Sequence, residues 1–255
     1  MSAEALRAEN VVVRFGAREA LRGPSLTVAF GEVTAVVGPN ASGKTTLLKA
    51  LAGIVPYEGR VFYGSEDAAT LTRAARARRV AYVPQKTELD AAQTVHEVVM
   101  QGRYAHHGFG APSRLDGEAA ERAMTEAAVT HLERRPFTTL SGGEQRRVLV
   151  ARALATEAPT ILLDEPTASL DVAHVLGIHE LLRALAERGR GVLVVLHALD
   201  DARMQTDRTL LMSNGRIVAE GASTAIIVAE HVRDVYGVEL VEAGAIGFRR
   251  PKGAA

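Results

Sequence analysis

The sequence predicts an α/β protein whose largely parallel sheet is covered by helices on both faces. Three short segments are almost wholly aliphatic, as strands buried on both sides are: Val33–Val37, Thr160–Leu163 and Val192–Leu196. Helical patterns alternate with these strands along the chain, and that alternation is typical of parallel sheets. A glycine-rich loop joins the first of the three strands to a helix, an arrangement that suits phosphate binding.

The first part of the chain is predicted to be rich in strands. Val11–Phe15 is apolar and β-branched, and Ser25–Phe30 alternates apolar with polar residues. After the glycine-rich loop a helix is predicted over Lys44–Ala52, with leucines on one side and Gly53 placed to end it. Further strands are predicted at Val61–Tyr63 and Val80–Val83.

The middle of the chain, residues 86–140, is more helical and less β-branched than its flanks. Helices are predicted over Thr94–Gly102 and Glu118–Leu132, on either side of a Gly- and Pro-containing loop at Gly108–Gly117. We therefore interpret residues 86–140 as an inserted helical subdomain.

The last part of the chain returns to alternating elements. A helix is predicted over residues 141–155, and Asp171 is a good N-cap for a second helix that runs to Arg188. Thr209–Met212 and Arg216–Val218 flank a Ser-Asn-Gly turn, which predicts a hairpin.

Composition narrows the class of protein. Thirty Lys and Arg residues balance thirty Asp and Glu residues, so the chain as a whole lacks the basic charge of a nucleic-acid-binding protein. It has no Cys, which excludes disulfides and thiolate chemistry. Its aliphatic runs are far shorter than the roughly 20 residues of a membrane-spanning helix, and no secretory signal pattern opens the sequence. We expect a chain that does not cross a bilayer by itself.

The first motif that carries chemistry is Gly38–Thr45, GPNASGKT, which matches G-x-x-x-x-G-K-[ST]. A glycine-rich loop can turn backbone N–H groups around phosphate oxygens, and the helix after it points its positive end at the same anion. Lys44 is predicted to reach the β- and γ-phosphates, and the Thr45 hydroxyl to ligate Mg²⁺. An ordinary strand-to-helix turn is the competing interpretation, which the flanking strand and helix disfavour.

The second motif, Ile161–Pro166 (ILLDEP), places two carboxylates directly after a buried strand. Open α/β sheets bind their ligands at the carboxyl ends of strands. There Asp164 can hold Mg²⁺, directly or through water, and Glu165 can polarise an attacking water. Alone, the segment fits a strand that runs into an exposed acidic turn equally well, and the phosphate-binding loop before it favours the functional interpretation.

The third motif, Leu140–Gln145 (LSGGEQ), predicts a second anion site. A Ser hydroxyl, two glycines and a helix start together offer a side-chain donor and backbone N–H groups. The same residues predict a capping box between Ser141 and Glu144. The two interpretations are compatible.

In order and spacing, GPNASGKT, LSGGEQ and ILLDEP resemble the nucleotide-binding subunit of ATP-binding cassette (ABC) transporters over almost the whole chain. Gln85 lies where that family has its Q-loop glutamine, and His197 where it has its switch histidine. Ser169–Asp171 matches the D-loop. Phe15 lies where an aromatic residue stacks on adenine.

The resemblance implies a P-loop NTPase fold of the ABC ATPase type, as a single domain over residues 1–255. A mostly parallel core sheet would carry an N-terminal antiparallel β subdomain and the inserted helical subdomain. The sequence departs from the family at two places. Ala198 follows the switch histidine where relatives usually carry Asp, and Ala41-Ser42 replaces a more usual Gly-Ala pair without obvious cost.

The resemblance also implies a homodimer, or a paired cassette, with ATP held head to tail between Gly38–Thr46 of one chain and Ser141–Gln145 of the other. ATP and Mg²⁺ are the implied cofactors. The implied catalytic residues are Lys44, Gln85, Glu165 and His197, and the implied Mg²⁺ residues are Thr45, Gln85 and Asp164. The implied nucleotide-binding residues are Phe15, Gly38, Pro39, Asn40, Ala41, Ser42, Gly43, Lys44, Thr45, Thr46, Ser141, Gly142, Gly143, Glu144, Gln145 and Asp171.

Such a subunit would sit peripherally at the cytoplasmic face of the cell (inner) membrane, on separate permease subunits, and serve a solute-binding protein indirectly. No nucleic-acid partner is expected. Thr94–Val99, Gly102–His106 and Val235–Glu239 resemble importers of chelated iron, haem and cobalamin. The alternative is the ATPase of another ABC transporter, such as a manganese or zinc importer, since these have a similar Gly-Arg-Tyr segment.

Two further classes compete with a transporter subunit. Cassette ATPases of DNA repair need a long coiled-coil insertion, and this chain shows no sustained heptads; those of translation carry two cassettes in one chain. P-loop GTPases and kinases need no LSGGEQ.

A metal site at His96, His106 and His107 is disfavoured by their spacing. A solvated helix face is the interpretation for Arg73, Arg76, Arg78 and Arg79.

Overall fold

The computed structural model describes residues 4–85, 87, 89, 93–108 and 110–238. Within these ranges two β-sheets are combined with helices in an α/β fold, which confirms the predicted class. The strands are β1 (Glu4–Phe15), β2 (Arg18–Arg22), β3 (Leu26–Ala29), β4 (Val33–Val37), β5 (Glu58–Tyr63), β6 (Glu66–Asp67), β7 (Val80–Val83), β8 (Thr160–Asp164), β9 (Gly191–Val195), β10 (Arg208–Ser213) and β11 (Arg216–Ala222).

The larger sheet has the order β11-β10-β4-β9-β8-β7. All of its neighbouring strands are parallel except for the antiparallel hairpin of β10 and β11. Because β4, β8 and β9 lie next to one another, their carboxyl ends meet at one edge. The glycine-rich loop after β4, Glu165 after β8 and His197 after β9 therefore converge there.

The smaller sheet is antiparallel and is built around β1, which pairs with β2, β3 and β5. The prediction gave only Val11–Phe15 of this strand and missed β2. Residues 4–10 become a strand because β3 and β5 flank them on both sides, and their own alternation is too weak to indicate it.

The helices include three long ones and several short ones. They are α1 (Lys44–Leu51), α2 (Arg73–Ala77), α3 (Val95–Met100), α4 (Tyr104–His107), α5 (Arg114–Glu126), α6 (Gly142–Leu154), α7 (Val172–Glu187), α8 (Leu199–Gln205), α9 (Ser223–Ile226) and α10 (Ala229–Tyr236). Among the described residues, none of them has both the length and the apolar character to span a bilayer.

Helix α5 begins and ends earlier than the predicted helix at residues 118–132. Ser113 caps it, since the Asp116 carboxylate accepts from the Ser113 N–H at 2.8 Å and the Ser113 Oγ accepts from the Asp116 N–H at 3.3 Å. At the other end Ala128 has a left-handed φ of 56°, which breaks the helix. Only a single 3₁₀ turn, Thr130–Leu132, follows.

Two apolar cores flank the parallel sheet, because successive strand residues point to opposite faces. One core joins α1 and the antiparallel sheet to one face and contains Leu47, Leu51 and Leu162. The other joins α3, α5, α6 and α7 to the opposite face and contains Ile161 and Leu163. The continuous aliphatic character of β8 is thereby explained.

The arginine cluster is only partly a solvated face, so that prediction is wrong at Arg76. Its side chain packs so closely on Gly53 that a Cβ there would meet Arg76 Nη1 at 2.4 Å, and its Nη2 donates to the Leu71 carbonyl at 3.3 Å. Of the importer-like segment at the C-terminus, Glu239 lies outside the described residues.

Candidate functional site

The phosphate-binding loop lies between β4 and α1, with Lys44 as the first residue of the helix. Lys44 is only 6% exposed, and its ammonium donates to the carbonyls of Gly38 at 2.8 Å and Pro39 at 2.9 Å. Burial lowers the pKa of Lys44, while the Glu165 and Asp164 carboxylates act in the opposite direction. The carbonyl groups of the loop thus hold the Lys44 ammonium over the loop, where it can contact a bound anion.

A cavity of about 570 Å³ opens over this loop. It is lined by residues 40–46 and Glu165, and also by residues from the end of β1 to β2, including Phe15. Phe15 is 53% exposed, and an exposed aromatic ring that lines a cavity can stack on a planar group.

The cavity also contains residues that the sequence analysis missed. Asn214 and Gly215 were interpreted only as a hairpin turn, yet the Gly215 N–H donates to the Ser42 carbonyl at 2.9 Å. A Cβ at Gly215 would lie 2.7 Å from the Ala20 carbonyl oxygen, so glycine is needed for this close approach. No local sequence pattern predicts this contact between the hairpin turn and the phosphate-binding loop. The other missed lining residues are Ala17, Arg18, Glu19, Ala20 and Arg22.

Two oxygen-bearing side chains, Thr45 and Asp164, are in contact beside the phosphate-binding loop. Thr45 Oγ1 donates to Asp164 Oδ1 at 3.2 Å, and the Tyr82 hydroxyl donates to Asp164 Oδ2 at 3.2 Å. Asp164 is 1% exposed, and burial raises its pKa, although the hydrogen bonds from Thr45 and Tyr82 oppose that shift. A buried carboxylate beside a hydroxyl is a donor set that fits Mg²⁺, which prefers oxygen ligands.

Each carboxylate oxygen of Glu165 contacts a neighbouring side chain. The Gln85 side-chain amide donates to Oε2, and the His197 Nε2 lies 2.5 Å from Oε1. Since a carboxylate only accepts, His197 Nε2 carries the proton in this contact. The Glu165 backbone has a left-handed φ of 49°, an unusual conformation for a residue with a side chain, and one that clusters at functional sites.

The structure places LSGGEQ apart from this cavity: none of Ser141–Gln145, all of which are described, lines it. The predicted capping box is confirmed, with the Glu144 carboxylate accepting from the Ser141 N–H at 2.8 Å. A Cβ at Gly143 would lie 2.0 Å from the His174 ring. The absence of a side chain at Gly143 therefore leaves room for the His174 ring against α6.

Asp171 is the N-cap of α7, as predicted, and accepts from the His174 N–H at 2.9 Å. This hydrogen bond and a second from the His174 ring lower the pKa of Asp171. Asp171 and LSGGEQ thus meet at His174, a residue to which sequence analysis assigned no role. Neither Asp171 nor any of residues 141–145 is brought to the phosphate-binding loop of its own chain.

Known proteins identify the family. The family profile described as "ABC transporter" matches residues 21–168, more than half of the chain. The chain belongs to the ABC transporter family. Within that family it is an ATP-binding cassette.

The relatives of this cassette include import proteins. The hemin import ATP-binding protein HmuV of Pseudomonas fluorescens is 40% identical over 243 residues, which cover 92% of this chain and 94% of that protein. The cobalamin import ATP-binding protein BtuD of Halobacterium salinarum is 41% identical over 200 residues, 77% of this chain and 50% of that protein. The cassette thus spans about half the length of the halobacterial relative.

A solved structure shares the fold. The ATP-binding cassette MJ0796, in a dimeric post-hydrolysis state with ADP and inorganic phosphate, is 28% identical with a TM-score of 0.74. The match covers 86% of this cassette and 98% of that chain.

This cassette has Ala41 in its phosphate-binding loop where relatives usually have Gly, and that alanine has a conformational cost that sequence analysis did not foresee. Ala41 has a φ of 63°, a left-handed conformation that a Cβ disfavours by roughly 1–2 kcal/mol. The Gly-Ala pair usual in the family avoids this strain.

Replacing Ala41 with Gly is therefore expected to raise the free energy of unfolding by about 0.5 kcal/mol, because relief of strain exceeds the larger chain entropy of Gly. Urea titration measures the change. The same substitution at Ala184, inside α7, is the control and is expected to lower stability by about 1 kcal/mol. Destabilisation by Ala41→Gly of the same size as the control would refute the assignment of strain.

Tyr82 offers a test of the pair of Thr45 and Asp164 in this cassette. Tyr82→Phe removes the hydroxyl that orients Asp164 and is expected to raise the Mg²⁺ concentration for half-maximal ATPase activity about fivefold, equivalent to one net hydrogen bond. Tyr63→Phe is the matched control, since its hydroxyl donates to the Leu51 carbonyl at 2.7 Å, away from the site. Equal Mg²⁺ dependence in both variants would contradict this role.

Proposed function

We propose that this chain hydrolyses Mg-ATP as one half of a head-to-tail dimer and drives a separate membrane permease that imports chelated iron, haem or cobalamin. The observation that carries the proposal is the Glu165 carboxylate, held between Gln85 and His197 at the wall of the cavity over the phosphate-binding loop. A carboxylate so placed can receive a proton from a water beside a bound γ-phosphate.

Nucleotide binding is proposed to use groups that already face the cavity. The backbone N–H groups of residues 40–46, which line the cavity, and the N-terminus of α1 would surround the phosphates. Lys44 would transfer its hydrogen bonds from the loop carbonyls to the β- and γ-phosphate oxygens. Phe15 would stack on the adenine ring. Phosphoryl transfer depends mostly on such positioning and on charge stabilisation.

Magnesium is proposed to be held by Thr45 and Asp164, with Gln85 completing its surroundings. When bound, the ion neutralises charge on the β- and γ-phosphate oxygens. The raised pKa of the buried Asp164 carboxylate supports this role, because a cation there would compensate the desolvated charge.

Hydrolysis is proposed to begin when water attacks the γ-phosphorus as its proton passes to Glu165. The bond from phosphorus to the bridging oxygen breaks, and ADP and inorganic phosphate leave. Both oxygens of Glu165 accept one hydrogen bond each, from His197 and Gln85, and each keeps a second lone pair for the water. His197 is proposed to sense the γ-phosphate and to hold Glu165 in place.

The dimer is proposed because one chain carries two anion-binding elements that do not share a cavity. Residues 141–145 of one chain, with Asp171, would close over the nucleotide on residues 38–46 of the other, and a two-fold axis would give two equivalent sites. The dimeric state of the MJ0796 cassette supports this arrangement.

The permease is proposed as a separate chain, with this cassette lying peripherally at the cytoplasmic face of the inner membrane. Residues 1–255 would act as one domain, and the helical subdomain at 86–140 would receive the permease around Gln85–Tyr104. A solute-binding protein would deliver the solute to the permease. The names of the hemin and cobalamin import relatives support chelated iron, haem or cobalamin as the solute.

Uptake in intact cells that lack this chain tests the proposal. Labelled iron chelate, haem and cobalamin are offered to cells restored with wild type or with Lys44→Ala. We expect one solute to accumulate with wild type alone. Export of the solute, or uptake of manganese or zinc in place of all three, would overturn the substrate assignment. Association of the purified chain with ribosomes or DNA in place of a membrane protein would overturn the transport role.

A further inference from the structure

Arg146 lies on the first turns of α6, directly after LSGGEQ, and is not among the residues that the sequence analysis singled out. Arg146 is 9% exposed, and its guanidinium donates to two successive carbonyl groups, that of Pro84 at 2.9 Å and that of Gln85 at 2.7 Å. Burial lowers the pKa of Arg146, and the charges of Asp164 and Glu165 oppose that effect. Because a guanidinium is planar and rigid, its two hydrogen bonds fix the positions of the two peptide groups relative to each other.

These hydrogen bonds continue to the hydrolytic residues. Gln85 is exposed, and an exposed Gln side chain has up to about 2 kcal/mol of rotamer entropy to lose on becoming ordered. Its amide nevertheless donates to Glu165, which in turn contacts His197. A fixed backbone at Gln85 limits the positions that this amide can reach. Arg146, Gln85, Glu165 and His197 thus form one continuous series of contacts.

We propose that Arg146 is a positioning residue for hydrolysis, which ties the helix that begins at LSGGEQ to Gln85 and through it to Glu165 of the same chain. The proposal rests on the proposed ATP hydrolysis. Arg146 does not line the described nucleotide cavity, so its effect falls on the catalytic step and not on nucleotide affinity. In the proposed dimer, α6 would contact the partner's nucleotide, and Arg146 would transmit that contact to its own site.

Steady-state ATPase kinetics of Arg146→Gln test this role in the full chain. We expect kcat to fall about tenfold to a hundredfold, the scale of a small misplacement at a reacting centre, with KM and the Kd for ADP within about threefold of wild type. Rates are expressed per nucleotide-binding site, so that partial unfolding does not imitate the effect. Arg147→Gln is the matched control, because Arg147 Nη1 donates to the Ala127 carbonyl of the helical segment at 3.3 Å, and it is expected to keep kcat.

Arg146→Lys provides the second variant, should loss of the charge prevent folding. Its ammonium keeps the charge without the fork, and we expect a kcat between those of wild type and Arg146→Gln. An unchanged kcat in Arg146→Gln would overturn this inference. So would a fall in kcat that is matched by an equal loss of ADP affinity, or by an equal fall in kcat of Arg147→Gln. None of these results would affect the proposed function. Absence of hydrolysis by wild type would overturn the proposed function and this inference together.

Discussion

Replacing Glu165 with Gln is expected to lower kcat for ATP hydrolysis by at least about a hundredfold, the scale of general-base catalysis. The amide has nearly the shape of the carboxylate, and its oxygen can still accept from His197, while its NH2 group can donate to Gln85 once the Gln85 amide turns its oxygen toward it. It cannot accept a proton from water. Nucleotide binding is expected to persist, because Lys44 and the loop backbone are unchanged.

The same variant is expected to accumulate as an ATP-bound dimer, since bound ATP would no longer be removed from the interface. Light scattering in saturating Mg-ATP measures this as a doubling of mass that ADP does not produce. Glu187→Gln, an exposed carboxylate at the end of α7, is the control and is expected to behave as wild type. A variant that is monomeric in Mg-ATP would remove the main support for the head-to-tail dimer.

Replacing Lys44 with Ala is expected to abolish hydrolysis and to weaken ATP binding about tenfold to a hundredfold. An ammonium that donates to phosphate contributes roughly 1.5–3 kcal/mol through its charged hydrogen bonds. The loss has a second cause, because Lys44 also donates to Gly38 and Pro39 and thereby orders the loop.

Thermal unfolding with and without Mg-ATP measures this loss of binding. When Mg-ATP is at a hundredfold excess over its Kd, wild type is expected to gain about 2.7 kcal/mol of stability. Lys44→Ala is expected to gain far less. Lys44→Met keeps the length of the side chain without its charge and should resemble Lys44→Ala. Lys49→Ala, in the last turn of the same helix, is the control and should keep the full gain. Full stabilisation of Lys44→Ala by ATP would refute the role of this ammonium.

The sequence was sufficient for elements whose residues signal them locally. The aliphatic strand at 33–37 was predicted with its observed bounds, and the caps Ser141 and Asp171 were predicted to begin α6 and α7, as they do. A cap acts on backbone groups within one turn, so its pattern is contained in a few adjacent residues. β1 and α5 were misjudged because strand pairing and a left-handed Ala128 set their extents.

The sequence by itself determined the phosphate-binding loop, the acidic pair Asp164-Glu165 and the helix start at LSGGEQ as candidates, because each is a pattern of adjacent residues. Only the tertiary structure decided which of them meet. Tyr82 and Thr45 are 82 and 119 residues from Asp164, Arg146 is 61 residues from Gln85, and Gly215 packs under Ser42 from a distant hairpin. Contacts of this kind depend on which strands are neighbours in the sheet, and no local pattern carries that information.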